Sequence, residues 1–424
     1  MKNIFNYFTQ CKSRFYFNIN FVFILKKLFK YIFYKKVEFK NILEKKLQYY
    51  FPNSNFFFFN HGRSGFYFLL KKLKNKHRKK VLINSLTLFE MINMIIYADY
   101  EPIFIDNKKN SFESNTIDLI DQHIDDIGFV VITHLNGLNK EIFEIKNKID
   151  QINKHRPIER KIYLIEDNAV SFGAKYNDNY SGSIGDFSIL SFNIMKNITS
   201  LTGGALIDNH HIFQNDLFED TLIKITFFDL FKKISFFFIL QVLNSKLIFP
   251  FFYLFIKFAH KRKYNFFLKK YRTDFKTHIS DKIPDDFLKD MSNFQMYLLI
   301  DQLNEVSINN KIRINNSLYY YEKLKNNKDL IFPQTNFNEE NIFLDFPIIC
   351  KDKKLKEALF LKSLKSNIDI KNYYYKNCET EEIYEKYNKN NSFNSKNISD
   401  KILMLPNNIK YKKKDLEKVI SIFF

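Results

Sequence analysis

The feature that most constrains this chain is an alternation, upstream of about residue 210, of short β-branched runs with helical patterns. "KVLIN" is followed by helical spacing from Met91 to Tyr97, then by "EPIFID", "IGFVVITHL" and "KIYLIED", with "FSILSF" and "GALID" completing the set. Runs of this kind, separated by amphipathic helices, form a mostly parallel sheet with crossover helices on its faces. Open α/β sheets place their ligands at the carboxyl ends of the strands. The loops after "KIYLIED" and "FSILSF" are therefore where chemistry is expected.

The length, 424 residues, accommodates one large domain and a smaller one, each with its own core. The pattern divides into an aromatic, basic leader over 1–55, a large α/β domain over 56–290, and a smaller C-terminal α+β domain over 291–424 that opens with a long helix. The large domain carries an apolar helical insertion at 221–271, with charge-free runs from Ile234 to Ser245 and from Leu247 to Ile256. Each run is shorter than the roughly 20 residues that span a bilayer. Lys232, Lys233, Lys257, Lys261, Arg262 and Lys263 flank them. A hairpin of this kind either lies in a membrane interface or packs on its own domain or across a dimer.

Composition adds limits. The 50 Phe, 25 Tyr, absent Trp and few Gly and Pro are the residues of A/T-rich codons, which also explain part of the +20 net charge. A basic surface favours anionic partners, but no basic-aromatic recognition motif is present, so no nucleic acid is expected. Cys11, Cys350 and Cys378 are odd in number and lack metal spacing. That usage fits the cytoplasmic side, with no metal site. The leader's run from Phe15 to Leu25 contains Asn18 and Asn20 and has no small-residue cleavage site after it, so it does not read as a secretory signal.

Four features single themselves out as candidate chemistry. Asp167 ends the buried run "KIYLIED", where a carboxylate can pair with a cationic ligand nitrogen; an "ED" pair there also serves simply to cap the following loop. Lys196 lies between "FSILSF" and the glycine pair Gly203 and Gly204, and a sequestered lysine can act as nucleophile and proton carrier. Ser191 stands five residues before it, placed to hydrogen-bond a phosphate or to be an ordinary strand-end serine. "HGRSG", His61 to Gly65, opens a helix whose N–H groups and dipole suit a phosphate. An amine, a carboxylate and a phosphate cradle are what pyridoxal phosphate demands.

At these residues the chain resembles the DegT/DnrJ/EryC1/StrS sugar aminotransferases, which are fold-type I pyridoxal-phosphate enzymes. "IEDNAVSFGAKYNDNYSGSIGDFSILSFNIMKNITSLTGGALI" is similar to the family's central block in order and spacing. "GRSGFYFLLKKL", "THLNG", "MSNFQMYLLIDQLNEV" and "ILMLPNNIKYKKKDLEKVI" match further segments. The resemblance implies that Lys196 forms the Schiff base and Asp167 holds the pyridine nitrogen. Ser191 with the backbone of Arg63 and Ser64 would hold the phosphate. It implies amino transfer, usually from glutamate, to a keto group on a nucleotide-linked sugar for surface polysaccharide, and a homodimer. The chain departs from the family at two cofactor-contacting positions, Leu88 for a stacked aromatic ring and Val170 for His or Gln, each worth about 1 kcal/mol of binding. Leu288 falls where a partner-subunit Asn often reaches the phosphate. Two alternatives follow from the same likeness. One is a sugar dehydratase, in which histidine replaces the lysine; the other is a degenerate, membrane-associated, non-catalytic form.

Overall fold

The computed structural model describes every residue except 1–10, 35–36, 74–77, 136, 138, 214–217, 219–220, 265–267, 269–276, 334–340, 373–374 and 389–391. The far end of the apolar insertion and Asn136 of "THLNG" lie outside the described residues.

The leader contributes two helices, α1 (Phe21–Phe33) and α2 (Phe39–Leu47). The expected alternation follows: β1 (Asn55–Phe59), α3 (Gly62–Lys72), β2 (Lys80–Asn84), α4 (Phe89–Tyr97), β3 (Glu101–Ile105) and α5 (Thr116–Gln122). Next come β4 (Ile127–Thr133), α6 (Ile142–Asn153), β5 (Tyr163–Asp167), the small hairpin β6 (Lys175–Tyr176) and β7 (Asn179–Tyr180), β8 (Phe187–Ser191) and β9 (Gly204–Asp208). Seven strands form one sheet in the order β1-β9-β8-β5-β4-β2-β3. Strands β3, β2, β4, β5 and β8 run parallel, whereas β9 is antiparallel to both its neighbours.

Alternate residues of each strand feed opposite cores, because successive side chains leave a strand on opposite faces. Val81, Ile83 and Phe129 pack with α3 and α4, while Leu82, Val130 and Leu164 pack with α5 and α6. At the β1-β9-β8 end, α1 and α2 join the core of Phe56, Phe58, Leu190 and Ile207. Ile24, Leu43 and Leu47 are fully buried there, and each such side chain contributes about 1.5–3 kcal/mol. The leader, whose role the sequence does not reveal, is therefore an integral layer of the fold.

Downstream, α7 (Phe227–Leu243) and α8 (Phe249–Lys261) make up the described part of the apolar insertion, α7 packing in the core with α1 and α2 and α8 in that of the second sheet. The long helix expected from about residue 290 is divided into α9 (Asn293–Gln302) and α10 (Val306–Leu324) by one 3-10 turn over Leu303–Glu305. At that break the Gln302 side chain donates to the Leu298 and Thr199 carbonyls and accepts the Thr199 N–H, so the helix end is tied to the loop after β8. A second, three-stranded sheet joins β10 (Leu330–Ile331), β11 (Asp345–Cys350) and β12 (Ile402–Pro406). Helices α11 (Lys353–Lys365), α12 (Phe393–Lys401) and α13 (Lys413–Ile420) complete this part. Its core also takes in Phe249, Tyr253 and Ile256 of α8. Among the described residues, no helix is long and apolar enough to cross a membrane.

Candidate active site

A cavity of about 540 Å³ opens at the carboxyl ends of β4, β5 and β8, roofed by the second sheet and the leader. Lys196, Asp167, Ser191, Arg63, Leu88 and Val170 all line it, so six of the seven candidate residues share one space. Ser64 does not. Its N–H donates to the His61 carbonyl at 3.1 Å. His61, Gly62 and Arg63 form the part of the α3 start that faces the cavity. Leu288 ends a 3-10 turn, Asp285–Leu288, outside this cavity.

The α3 start is held close to the sheet by two glycines. A Cβ on Gly62 would stand 2.5 Å from the Leu190 carbonyl oxygen, and a Cβ on Gly204 would collide with the Gly62 backbone. Gly203 before it has φ +137°, a conformation that favours glycine. The glycine pair seen in the sequence thus lets the helix start approach the β8–β9 edge, beside Ser191.

Glu166 and Asp167 divide the two roles left open for them. Glu166, fully buried, accepts hydrogen bonds from the backbone N–H groups of Gly182, Ile184 and Gly185 at 2.6–2.8 Å and pairs with His134 Nε2 at 2.8 Å. It is the loop-capping residue. Asp167, on the opposite face of β5, faces the cavity, and its Oδ1 accepts the Ala169 N–H at 3.1 Å. Burial raises its carboxyl above the usual carboxylate range, against the opposing pull of the Ala169 N–H and the Lys196 amine.

Lys196 sits in the turn after β8, with its N–H donating to the Asn193 carbonyl. Part of its surface is open, but it opens into the cavity rather than into bulk water, so enclosure governs its titration. Burial lowers its amine to about 8; Asp167 opposes that shift and Lys371 and Arg63 reinforce it. The leader fixes this turn: Asn18 Nδ2 donates to the Lys196 carbonyl at 2.8 Å and also to that of Asn197.

The far wall was not anticipated. Arg14, Phe15 and Tyr16 of the leader line the cavity together with Arg313 of α10, Asp345, Lys371, Tyr375 and Asn407. Arg14 is locked to Asp369 by a 2.9 Å ion pair buried on both sides, and Lys371 pairs with Asp345. Arg313 is different: it is 4 % exposed, and its Nε and Nη1 have no hydrogen-bond partner among the described residues. Burial lowers its guanidinium to about 10, with Tyr16 and Asp345 pulling the other way. Buried atoms with no partner among the described residues also occur on Arg63 (Nε), Thr87 (Oγ1), Glu90 (Oε2), Thr133 (Oγ1) and Asn407 (Oδ1), all on this cavity wall. Native interiors rarely leave such groups unpaired, and their concentration here marks a wall built to receive a polar ligand. The residues therefore fit an anionic, phosphate-bearing ring compound: an amine and a carboxylate at the sheet edge, a helix start beside Ser191, and a spare guanidinium opposite.

The chain is similar to several known proteins. It is 28 % identical over 130 residues to GDP-perosamine synthase of Escherichia coli O157:H7, covering 31 % of this chain and 34 % of that one. It is 31 % identical over 134 residues to UDP-4-amino-4,6-dideoxy-N-acetyl-beta-L-altrosamine transaminase of Campylobacter jejuni, covering 31 % and 34 %. The matched segments thus span about a third of these curated relatives. The structure of a DegT DnrJ EryC1 StrS aminotransferase from Brucella abortus superposes with a TM-score of 0.66 at 18 % identity, covering 94 % of each chain, which shows a shared fold. The profile of the DegT/DnrJ/EryC1/StrS aminotransferase family matches residues 26–218 and 286–424, taking in both sheets and every residue from Leu88 to Lys196 that faces the cavity. By fold, by cavity and by the extent of that match, this chain belongs to the DegT/DnrJ/EryC1/StrS aminotransferase family.

Proposed function

We propose that this protein is a pyridoxal-phosphate-dependent aminotransferase that moves an amino group from an amino acid, glutamate being the expected donor, to the keto carbon of a nucleotide-linked sugar used in polysaccharide synthesis. The observation that carries this reading is the convergence of the Lys196 amine and the Asp167 carboxylate on one enclosed cavity. GDP-perosamine synthase and the altrosamine transaminase, named above, bear names of amino-sugar synthesis.

In this reading Asp167 pairs with the ring nitrogen of the cofactor. That pairing offsets the burial that now raises the Asp167 carboxyl. Ser191 and the α3 start with Arg63 hold the phosphate, where first-turn N–H groups and the helix dipole favour an anion. Leu88 and Val170 lie on the same wall and offer apolar contact to the ring in place of a stacked aromatic and a polar side chain. The bound cofactor supplies an electron sink for the substrate carbon that loses its proton. Lys196 Nζ carries that proton, and an amine lowered to about 8 is poised for exchange near neutral pH. Arg313 takes the carboxylate of the amino donor, because a planar guanidinium matches a carboxylate with two parallel hydrogen bonds. Phe15 and Tyr16 close the cavity against water.

Absorbance and trapping test the proposal. The purified chain is expected to bind pyridoxal phosphate with a visible band that shifts on addition of glutamate, and borohydride is expected to fix the cofactor on Lys196. Uptake should fall about tenfold for each pH unit below about 8, as the amine protonates. A protein that stays colourless and unlabelled at Lys196 would return the chain to the non-catalytic alternative. Arg313→Gln should raise KM for the donor by about tenfold or more while leaving the visible band intact.

A further inference from the structure

Outside the cavity, the feature that stands out most is a concentration of exposed apolar side chains on α1, α7 and α8. Of the 28 large hydrophobic residues exposed in the described structure, 19 lie between residues 21 and 34 or between 227 and 264. Phe227 is 82 % exposed, Leu247 81 % and Phe33 74 %. The two elements adjoin: Phe21 of α1 meets Phe238 of α7 at 4.6 Å between ring centroids, and Gln241 of α7 bonds the backbone of Ile19 and Phe21. The inner side of each helix is committed to the fold. On α7 this is Phe237 in the leader core; on α8 it is Tyr253, whose hydroxyl donates to the Ile368 carbonyl. The outer sides, large aromatic and aliphatic, face solvent.

The charge carried by these helices is predominantly positive, although Asp301 pairs with Lys27 of α1 at 2.7 Å and Asp286 lies near Lys233 of α7. Lys26, Lys30, Lys232, Lys246, Lys261 and Arg262 are exposed on or beside these helices. The acidic residue within the same two segments, Asp229, is held by Lys289 at 2.9 Å. The family profile leaves out residues 219–285, which contain both α7 and α8. Exposed apolar faces of this extent mark interaction surfaces. A second copy of this chain is a poor occupant, since a two-fold contact lays the same face on itself and sets lysine against lysine. An anionic lipid surface matches both features: aromatic and aliphatic side chains enter the acyl boundary and the basic rim meets the headgroups.

We infer that α1, α7 and α8 form a docking face for an anionic membrane surface, onto which the protein settles without crossing it. The inference does not depend on the reaction proposed above. The helices are too short to span a bilayer, so the contact is one of helices lying flat in the interface.

The chain contains no tryptophan, so Phe228→Trp in the full-length protein gives a single reporter on an exposed position of α7. With vesicles of phosphatidylcholine and phosphatidylglycerol the emission should shift to the blue and the protein should sediment with the lipid. Partition should be about tenfold or more above that for phosphatidylcholine alone, and added salt should reverse it. Exchanging Phe227, Phe231 and Phe251 for Ser should abolish sedimentation while circular dichroism stays unchanged, because all three are exposed. No vesicle-dependent shift would overturn the inference. So would a blue-shifted emission without lipid that moves red on dilution, because a second copy would then be covering the face.

Discussion

Glu166 and Asp167 are adjacent in β5, yet the regions they serve handle buried polar groups in opposite ways. Beneath the sheet edge, Glu166 is saturated by three backbone N–H groups and His134. Above it, the cavity wall holds Asp167 with one short-range backbone donor and, among the described residues, Arg313 with two partnerless nitrogens and several further orphaned oxygens. Satisfied groups fix a loop in place; unsatisfied ones raise the free energy of the empty fold until a ligand completes them. The first region is scaffold and the second is site, although both are built from the same residue types.

That distinction is sharpest where the two kinds of residue are removed. Lys196→Ala should reduce turnover by about 10⁴-fold or more, since both the covalent and the proton-transfer roles are lost, with little change in thermal unfolding. Glu166→Ala should do the reverse. Leaving His134 and three N–H groups unpaired costs about 3–5 kcal/mol, so unfolding measured by calorimetry should move to much lower temperature. Equal loss of stability in both variants would break the division between scaffold and site.

Asp167→Asn separates stability from function at one position. Burial raises this carboxyl in the folded chain above its unfolded value, so the folded state holds the proton more tightly. Its contribution to stability is therefore present at low pH and lost as pH rises from the ordinary carboxylate range through the raised folded value. An amide has no such charge to bury. The ligand-free Asp167→Asn protein should melt about 2 °C or more above the parent at pH 7. Its transaminase activity should fall by about tenfold to a hundredfold, as a charged hydrogen bond to the ring nitrogen is exchanged for a neutral one. Melting curves at pH 4 and pH 7 check the sign, since the gain should shrink at the lower pH.

Much of the site was legible because its elements are local and ordered. Strand runs, the glycine pair and the "ED" ending are short-range patterns, and the sheet topology then brings Lys196, Asp167 and Ser191 to one edge. The far wall was not legible, because Arg14, Arg313 and Lys371 are joined only by the folding of the leader and the second sheet over the first. One signal was available. The chain has eight arginines among its 66 basic residues, in a composition where lysine predominates, and three of them, Arg14, Arg63 and Arg313, line the cavity. Where lysine supplies most of the positive charge, an arginine marks a position that needs a planar fork. The division of the residue 290–324 helix escaped notice because no glycine or proline marks it; a side-chain bond from Gln302 to a distant loop does. The leader gave no functional signal, since its contacts with the Lys196 turn pass through backbone carbonyls, which carry no sequence of their own.

Asn18 tests whether the leader belongs to the site or only to the scaffold. Its amide nitrogen donates to the carbonyls of Lys196 and Asn197, so the turn bearing the amine is held from outside by a residue nearly 180 positions away. Asn18→Ala removes two neutral hydrogen bonds, worth about 1 kcal/mol each, and should lower kcat by about fivefold as the amine loses its fixed position. Asn18→Asp goes further, since it sets an acceptor against two acceptors and adds a negative charge near the Lys196 turn. It should raise the apparent pKa of the amine, moving the pH dependence of cofactor uptake upward from about 8, whereas the alanine variant should leave that midpoint in place. If both variants merely melt earlier, with kcat and the uptake midpoint unchanged, the leader is a covering layer and the comparison between scaffold and site must be redrawn to place it with Glu166.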